Sequence, residues 1–130
     1  MTKVLITGSR DWPPTASAME VIFVAIDKYL ELSWDAPEMI VGMSPAGGVD
    51  AYAYAYGMGV GYMVHPVPAE PSDGRTKLYP RDFAIRNKKM VDMKPDIVLA
   101  FFLTGAKNSG TQMTVDMAVK AGIKVEDIWL

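Results

Sequence analysis

The amino-acid sequence predicts a three-layer α/β fold in which a five-stranded, mainly parallel sheet carries helices on both faces. Three observations support this prediction. Strand-like and helix-like segments alternate along the whole chain, as in parallel strands joined by helical crossovers. The run IVLAFF is apolar throughout, which is typical of a strand buried on both faces. The length of 130 residues suits a single domain, residues 1–130, with a core that needs no covalent staples.

Five apolar segments are expected to form the strands. The first contains the β-favouring residues Val4 and Ile6 and stops at Thr7-Gly8, where turn chemistry begins. The predicted strands cover residues 3–7, 38–42, 62–65, 96–101 and 123–129. In parallel sheets of this kind, ligands bind outside the carboxyl ends of the strands, where the strand order switches.

Four segments are expected to form helices: residues 15–32, 50–57, 80–92 and 110–121. In the first, Ser17 and Glu20 have the spacing of a capping box. Pro80 suits the first turn of the third, and Gly122 suits the C-terminal cap of the fourth. A loop rich in proline and charge, residues 66–79, is expected between the third strand and the third helix.

The second helix is the ambiguous element. Its sequence AYAYAYG places tyrosine at every second position, which resembles a strand, but the alanines and the need for a crossover favour a helix. In a helix, Tyr52 and Tyr56 share one face and Tyr54 points nearly opposite. Either one of these faces meets another subunit, or two tyrosines pack in the core and one is exposed.

Composition excludes several classes of site. The chain has no cysteine, which removes disulfides, thiolate metal sites and cysteine nucleophiles. Its single histidine, His65, excludes a histidine-rich metal site and is expected to be structural. There is room for neither a signal peptide nor a membrane span, so we expect a cytoplasmic protein without membrane contact. We assign no metal and no cofactor.

Basic residues are concentrated between Arg75 and Lys94, although the net charge is −2. Seven of the 13 basic residues lie there, opposed only by Asp82 and Asp92. Such a run forms either a solvated helix face or a surface that faces an anion. The basic residues are Arg75, Lys77, Arg81, Arg86, Lys88, Lys89 and Lys94.

Three glycine-containing loops are expected at the same edge of the sheet, each beside the start of a helix. They are residues 8–12 (GSRDW), 42–50 (GMSPAGGVD) and 107–113 (KNSGTQM). Glycine lets the backbone approach a ligand, and helix N-termini offer free N–H groups to an anion. Arg10 adds a fixed charge that can bind phosphate or carboxylate. One such loop could be ordinary turn chemistry, but three together favour a ligand that carries phosphate.

Sharply spaced fingerprints are absent. The sequence lacks GxxxxGK[ST] and, after its first strand, GxGxxG, so a Walker A loop and dehydrogenase-type dinucleotide binding are not expected. Asp11 and Asp50 could act as paired carboxylates, but a structural role as a helix cap is the simpler interpretation of each.

In order along the chain, TGSRDW, GGVDAYA, AIRNKKM, DIVLAFF and SGT resemble the SLOG superfamily, and most closely its small stand-alone proteins related to YspA and YpsA of bacteria and phages. The chain is more distantly similar to the lonely-guy hydrolases and to the Rossmann-like domain of DprA. The resemblance implies a Rossmann-like fold that binds a nucleotide or its derivative, and homo-oligomers, with the tyrosine helix as candidate interface. From the loops and the resemblance together, the expected nucleotide-binding residues are Gly8, Ser9, Arg10, Asp11, Trp12, Gly42, Met43, Ser44, Gly47, Gly48, Asp50, Arg86, Asn87, Ser109, Gly110 and Thr111.

Two departures from the superfamily pattern matter. In the second loop, where many members of the superfamily have a GGA-type run, this chain has Met43-Ser44-Pro45. In the lonely-guy motif PGGxGTxxE the glutamate serves catalysis, and here Thr114 stands in its place. Threonine is no acid or base at neutral pH, and Asp116 lies about 200° further round the helix. The resemblance therefore favours a protein that binds a nucleotide over one that hydrolyses it. If the chain is a hydrolase, Arg86 is the catalytic candidate.

Four functions remain open at this point. The first is a sensor or scavenger that binds a mononucleotide, an ADP-ribose-like molecule or a cyclic nucleotide signal, with Trp12 or a tyrosine stacked on the base. The second is an enzyme that cuts an N-glycosidic or phosphoester bond with Arg86 and one of Asp11, Asp50 and Asp116. The third is DprA-like binding of single-stranded DNA, which the net negative charge disfavours. The last is an interaction module with a vestigial pocket.

Overall fold

Strand and helix alternate from end to end in the computed structural model, which describes residues 2–31, 36–44, 47–72, 74 and 77–130. The elements in chain order are β1 (Lys3–Gly8), α1 (Ala16–Leu30), β2 (Glu38–Met43), α2 (Val49–Val60), β3 (Met63–Pro68), α3 (Pro80–Asp92), β4 (Ile97–Phe102), α4 (Ser109–Lys120) and β5 (Lys124–Trp129). Leu32, Pro45 and Arg75, which the sequence interpretation included, lie outside the described residues.

The strands form one parallel sheet in the order β3-β2-β1-β4-β5, which confirms the predicted fold class. The chain runs outward from β1 through β2 to β3, then crosses back to β4 and ends at β5. The strand order therefore switches between β1 and β4, and the loops after these two strands diverge there.

Helices cover both faces of the sheet. Residues of α1 and α2 pack on one face around Val4, Ile6 and Phe101. Residues of α3 and α4 pack on the other face around Leu5 and Val98. Every residue of β4 is buried, as its apolar run predicted. No helix in the described residues is long and apolar enough to cross a membrane.

Helix α1 begins two residues before the predicted capping box. Thr15 is its N-cap, and the Thr15 hydroxyl accepts a hydrogen bond from the backbone N–H of Ala18 at 3.3 Å. The predicted box at Ser17 and Glu20 was wrong, because both residues already lie inside the helix. The apolar face of α1 consists of Ala18, Ile22, Ile26 and Leu30.

The tyrosine segment is helical, as predicted, but its side chains are arranged differently. Tyr52, Tyr54 and Tyr56 are all half-buried and pack against the core, because α2 packs both on the sheet and against its neighbour α1. The Tyr56 ring stacks on Phe23 with centroids 4.2 Å apart. The hydroxyls of Tyr56 and Tyr62 donate to the two carboxylate oxygens of Asp27 at 2.5 and 2.8 Å. The expected subunit interface at this helix stays a prediction.

Strand β3 is longer than predicted and takes in the start of the expected loop. It runs through Pro66 and Pro68 at the edge of the sheet, where a missing N–H breaks no ladder bond. His65 lies inside this strand, with Nε2 2.8 Å from Oε1 of Glu38 on β2. That contact supports a structural role for His65.

Helix α3 begins at Pro80, as predicted, with its N-terminus held by Asp82. The buried Asp82 carboxylate accepts from the N–H groups of Tyr79 and Ser72 at 2.8 and 3.0 Å. These hydrogen bonds hold the pKa of Asp82 below its usual value, and the bond from the Tyr79 N–H has the largest effect. On this helix the basic residues separate: Arg81, Lys88 and Lys89 are exposed, and Arg86 points inward.

Candidate functional site

The loop after β1 is anchored to two neighbouring elements through Ser9. Its N–H donates to the Phe101 carbonyl of β4, and its carbonyl accepts from the Val49 N–H of α2, each at 3.1 Å. Its hydroxyl accepts from the Asp11 N–H at 3.1 Å. A Cβ atom added at Gly8 would lie 2.7 Å from Cγ2 of Val49, so this close approach requires glycine. Ser9 therefore holds the loop in place.

The loop before α2 presses on the backbone of Arg10. Gly47 and Gly48 have φ of +82° and +78°, and a Cβ added at Gly48 would lie 2.3 Å from the Arg10 Cα. Gly48 is the N-cap of α2, and no side chain caps this helix. The positive end of α2 consequently lies beside the exposed Arg10, an arrangement suited to an anion.

The loop after β4 is organised by Asn108, which sequence reasoning missed as a site residue. Its side chain accepts from the N–H of Leu103 and donates to the carbonyls of Leu103 and Ala106 at distances of 2.9 to 3.1 Å. Asn108 has φ of +53° and is the N-cap of α4, yet its side chain is turned into the loop. Ser109 and Gly110 thus begin α4 exposed, without a side-chain cap. Asparagine before a helix start, with its tolerance of positive φ, was the available signal.

Asp50 and Arg86 meet at the end of β2. A Cβ atom added at Gly42 would lie 2.6 Å from Nη1 of Arg86 and 3.0 Å from Oδ2 of Asp50. Asp50 is 9% exposed and Arg86 is 8% exposed. Asp50 comes from α2 and Arg86 from α3, so helices on opposite faces of the sheet supply the two charges. Gly42 makes their approach sterically feasible.

Neither charge is fully compensated by its neighbours. Arg86 donates from Nε to the Asn87 side chain at 2.9 Å and from Nη1 to the Val67 carbonyl at 3.4 Å. The Asp50 carboxylate forms no ion pair or hydrogen bond with any residue that the structure describes. Burying an ionised carboxylate with few hydrogen bonds is costly, and a group that donated to Asp50 would offset that cost.

Burial changes the acidity of both groups. It raises the pKa of Asp50 to about 7, and the positive charge of Arg86 opposes this rise. It lowers the pKa of Arg86, and the negative charge of Asp50 opposes that fall. Asp50 therefore exchanges its proton near neutral pH, and it can donate as an acid or accept as a carboxylate.

Trp12 does not lie at the edge of the sheet where we expected it. Its ring is 2% exposed and meets Phe101 edge-on, with centroids 5.7 Å apart. Its Nε1 donates to the Ala18 carbonyl at 2.8 Å. The expected stacking of Trp12 on a base was wrong, because the start of α1 folds over the ring and makes it part of the core.

The remaining predicted residues are distributed along the same edge. Met43 is the last residue of β2, Ser44 follows it, and Asp11 is exposed after β1. Asn87 is buried and donates from Nδ2 to the Met113 sulfur at 3.7 Å, which connects α3 to α4. Thr111 is buried in the first turn of α4. Apart from the Trp12 ring, the structure thus brings the predicted loops together at the carboxyl ends of the strands.

Known proteins resemble this chain in structure. No protein-family profile and no curated protein matches it. The X-ray structure of TM1055 superposes with a TM-score of 0.67 at 16% identity, covering 96% of this chain and 72% of TM1055. The X-ray structure of DNA processing protein A (DprA) from Streptococcus pneumoniae superposes with a TM-score of 0.57 at 14% identity. The superposition covers 97% of this chain and 58% of DprA. Both neighbours are Rossmann-like. The superpositions therefore show that this chain has a Rossmann-like fold.

Identities this low bear on the fold alone, and this chain spans less than two thirds of DprA. The structure also describes the residues at the position that the sequence resemblance aligned with the lonely-guy glutamate. Thr114 is fully buried, and its hydroxyl donates to the Gly110 carbonyl at 3.2 Å. Asp116 is exposed and accepts from the Gln112 side chain at 2.9 Å. Neither residue supplies a free carboxylate to the site, and the carboxylate that borders Gly42 together with Arg86 is that of Asp50.

Proposed function

We propose that this chain is a SLOG protein of the small YspA- and YpsA-related type that binds a nucleotide or nucleotide derivative at the carboxyl edge of its sheet. One observation carries the proposal. Asp50 and Arg86 are buried side by side at Gly42 without an ion pair between them, and the Asp50 carboxylate lacks a described partner. A ligand with hydroxyl or amino donors and an anionic group would satisfy both residues.

The phosphate end of the ligand has two candidate positions. One is the N-terminus of α2, beside the exposed guanidinium of Arg10. The other is the N-terminus of α4, where Ser109 and Gly110 are exposed. Both positions combine free backbone N–H groups with a positive helix dipole, which suits phosphate. Ribose hydroxyls are the donors that we assign to Asp50.

Binding is tested by isothermal titration of AMP, ADP-ribose, NAD and a cyclic nucleotide. Arg10→Ala should weaken binding of a phosphate ligand about tenfold or more, since a hydrogen bond to a charged group contributes roughly 1.5 to 3 kcal/mol. Lys89→Ala is the matched control, because it removes an exposed cation from α3 and leaves the loops intact. Equal affinity of the Arg10 and Lys89 variants would remove Arg10 from the site.

A second candidate, cleavage of an N-glycosidic bond, is favoured by one observation. The raised pKa of Asp50, about 7, is matched to acid–base work at neutral pH, and Arg86 is adjacent. Release of free base from a nucleoside monophosphate, lost in Asp50→Asn, would establish turnover. Binding without release of base would assign the chain to the sensor or scavenger class.

A further inference from the structure

Burial of Trp12 leaves the proposed site without the aromatic ring that we expected there, but another ring lies at the same edge. Trp129 is the last residue of β5, and it pairs in register with Phe102 of β4. Phe101, one residue earlier on β4, pairs with Gly8 at the end of β1. Since adjacent strands lie about 4.8 Å apart, the Trp129 backbone lies roughly 10 Å from the β1 loop, measured across two strand spacings.

The Trp129 ring has one covered face. It stacks on the Phe102 ring with centroids 4.8 Å apart and planes inclined by 18°. Phe102 is 3% exposed and Trp129 is 60% exposed, so the indole covers a core residue and presents its other face outward. An indole fixed in this way offers a flat surface that needs little ordering before a second ring stacks on it.

The chain on either side of the ring is tied to the proposed phosphate position. The Leu130 N–H donates to the Phe102 carbonyl, and the Thr104 N–H donates to the Leu130 carbonyl, each at 2.9 Å. Thr104 begins the loop that Asn108 organises and that leads into the uncapped N-terminus of α4. The indole and this helix terminus therefore belong to one connected structure.

Charge indicates which end of a ligand suits the ring. Asp127 is exposed two residues before Trp129, so the alternation of β5 places both on the same face of the sheet. A carboxylate there repels phosphate and tolerates a neutral ring. The N-terminus of α4 has the opposite preference, because its dipole favours an anion. Together they orient a nucleotide with its base at the indole and its phosphate at α4, so that a ribose beyond the phosphates, as in ADP-ribose, lies toward Asp50.

We propose that the outer face of Trp129 is the nucleobase-stacking subsite of this protein. This inference rests on the proposed function, since it concerns the base of the same nucleotide. Stacking accepts any base because each base has a π-face, so the subsite contributes affinity and little base selectivity.

The test compares wild type, Trp129→Phe and Trp129→Leu with three probes: AMP, ADP-ribose and ribose 5-phosphate, which lacks a base. Trp129→Leu should weaken AMP or ADP-ribose about tenfold, the order of one lost base–aromatic stack. Trp129→Phe should keep most of that affinity, and ribose 5-phosphate should bind all three proteins equally. In a Trp34→Phe background, nucleotide should also quench tryptophan fluorescence, and this quenching should disappear when Trp129→Phe is added, because the remaining ring, Trp12, is buried and out of reach.

Each contrary outcome has a distinct meaning. Unchanged nucleotide affinity in Trp129→Leu overturns the stacking subsite and leaves the proposed function standing. Equal loss of nucleotide and ribose 5-phosphate shows a structural effect and also overturns it. Absence of binding to wild type with every probe rejects the proposed function and the subsite together. Sedimentation supplies the last comparison: a wild-type dimer that Trp129→Leu converts to monomer would assign the ring to a subunit interface instead.

Discussion

Asp50 and Arg86 lie on helices that cover opposite faces of the sheet, yet their side chains border the same glycine, Gly42. The arrangement places two opposite charges in a buried position without joining them in an ion pair. Each side chain reaches the carboxyl edge from its own layer. A ligand at this edge would therefore contact both layers of helices at once.

Removing the charge at Asp50 should change how stability depends on pH. Burial raises the folded-state pKa to about 7 from the ordinary value of 3.8, so the folded protein binds more protons than the unfolded chain between these values. The contribution of Asp50 to the free energy of unfolding should accordingly be most favourable below about pH 4. It should decrease as the pH rises to about 7. In Asp50→Asn the decrease in unfolding free energy between about pH 4 and pH 7 should be smaller than in wild type by about 1 to 4 kcal/mol. Urea unfolding at several pH values measures this difference.

Asp116→Asn is the control for that experiment, because Asp116 is exposed on α4. It should leave the pH profile of unfolding unchanged. If Asp50→Asn and wild type keep a constant difference in unfolding free energy from pH 4 to 7, then Asp50 titrates normally and the acid–base candidate loses its support.

Gly42→Ala should affect ligand binding more than folding. The added methyl group would lie 2.6 Å from the end of the Arg86 side chain, which can move aside at little cost in stability. Displacing Arg86 separates it from Asp50, so we expect affinity for the best-binding nucleotide to fall about tenfold with a small change in melting temperature. Titration calorimetry and thermal unfolding of the same sample distinguish the two effects. A large drop in melting temperature with unchanged affinity would contradict this.

Gly48→Ala should strongly destabilise the protein. Its methyl group would meet the Arg10 backbone at 2.3 Å, and its φ of +78° is unfavourable for alanine. Backbone strain and overpacking together cost roughly 2 kcal/mol or more. Gly59→Ala is the matched control inside α2, since nothing lies within 4 Å of the added atom. It should stabilise the helix by about 0.5 to 1 kcal/mol in chemical denaturation, opposite in sign to Gly48→Ala.

Trp12→Phe should reduce stability and spare ligand affinity. The substitution removes the indole N–H that donates to the buried Ala18 carbonyl, which costs roughly 1 to 3 kcal/mol. Because the ring is in the core, nucleotide affinity at a temperature where the variant is folded should match wild type. A selective loss of affinity in the folded variant would return Trp12 to the site.

The sequence predicted the elements and their alternation because those depend on local properties. An uninterrupted apolar run identified β4, proline at the first turn identified the start of α3, and glycine marked the end of α4. Two errors had different causes, one local and one set by position in the sheet. The capping box at Ser17 and Glu20 had the right spacing, but Thr15 caps the helix. Strand β3 passes through two prolines because it lies at the edge of the sheet, which spacing alone does not reveal.

By itself, the sequence determined the fold class and the loops at the carboxyl edge, since glycines, hydroxyls and helix starts recur there along the chain. Only the tertiary structure decided which side chains in those loops are accessible. Trp12 is covered by α1 and Phe101, whereas Trp129 covers Phe102 and stays exposed. Likewise, Asp50 and Arg86 are distant in sequence and converge only because the start of α2 and the middle of α3 both lie beside Gly42 of β2. Burial and convergence depend on contacts between remote segments, so local sequence patterns do not contain them.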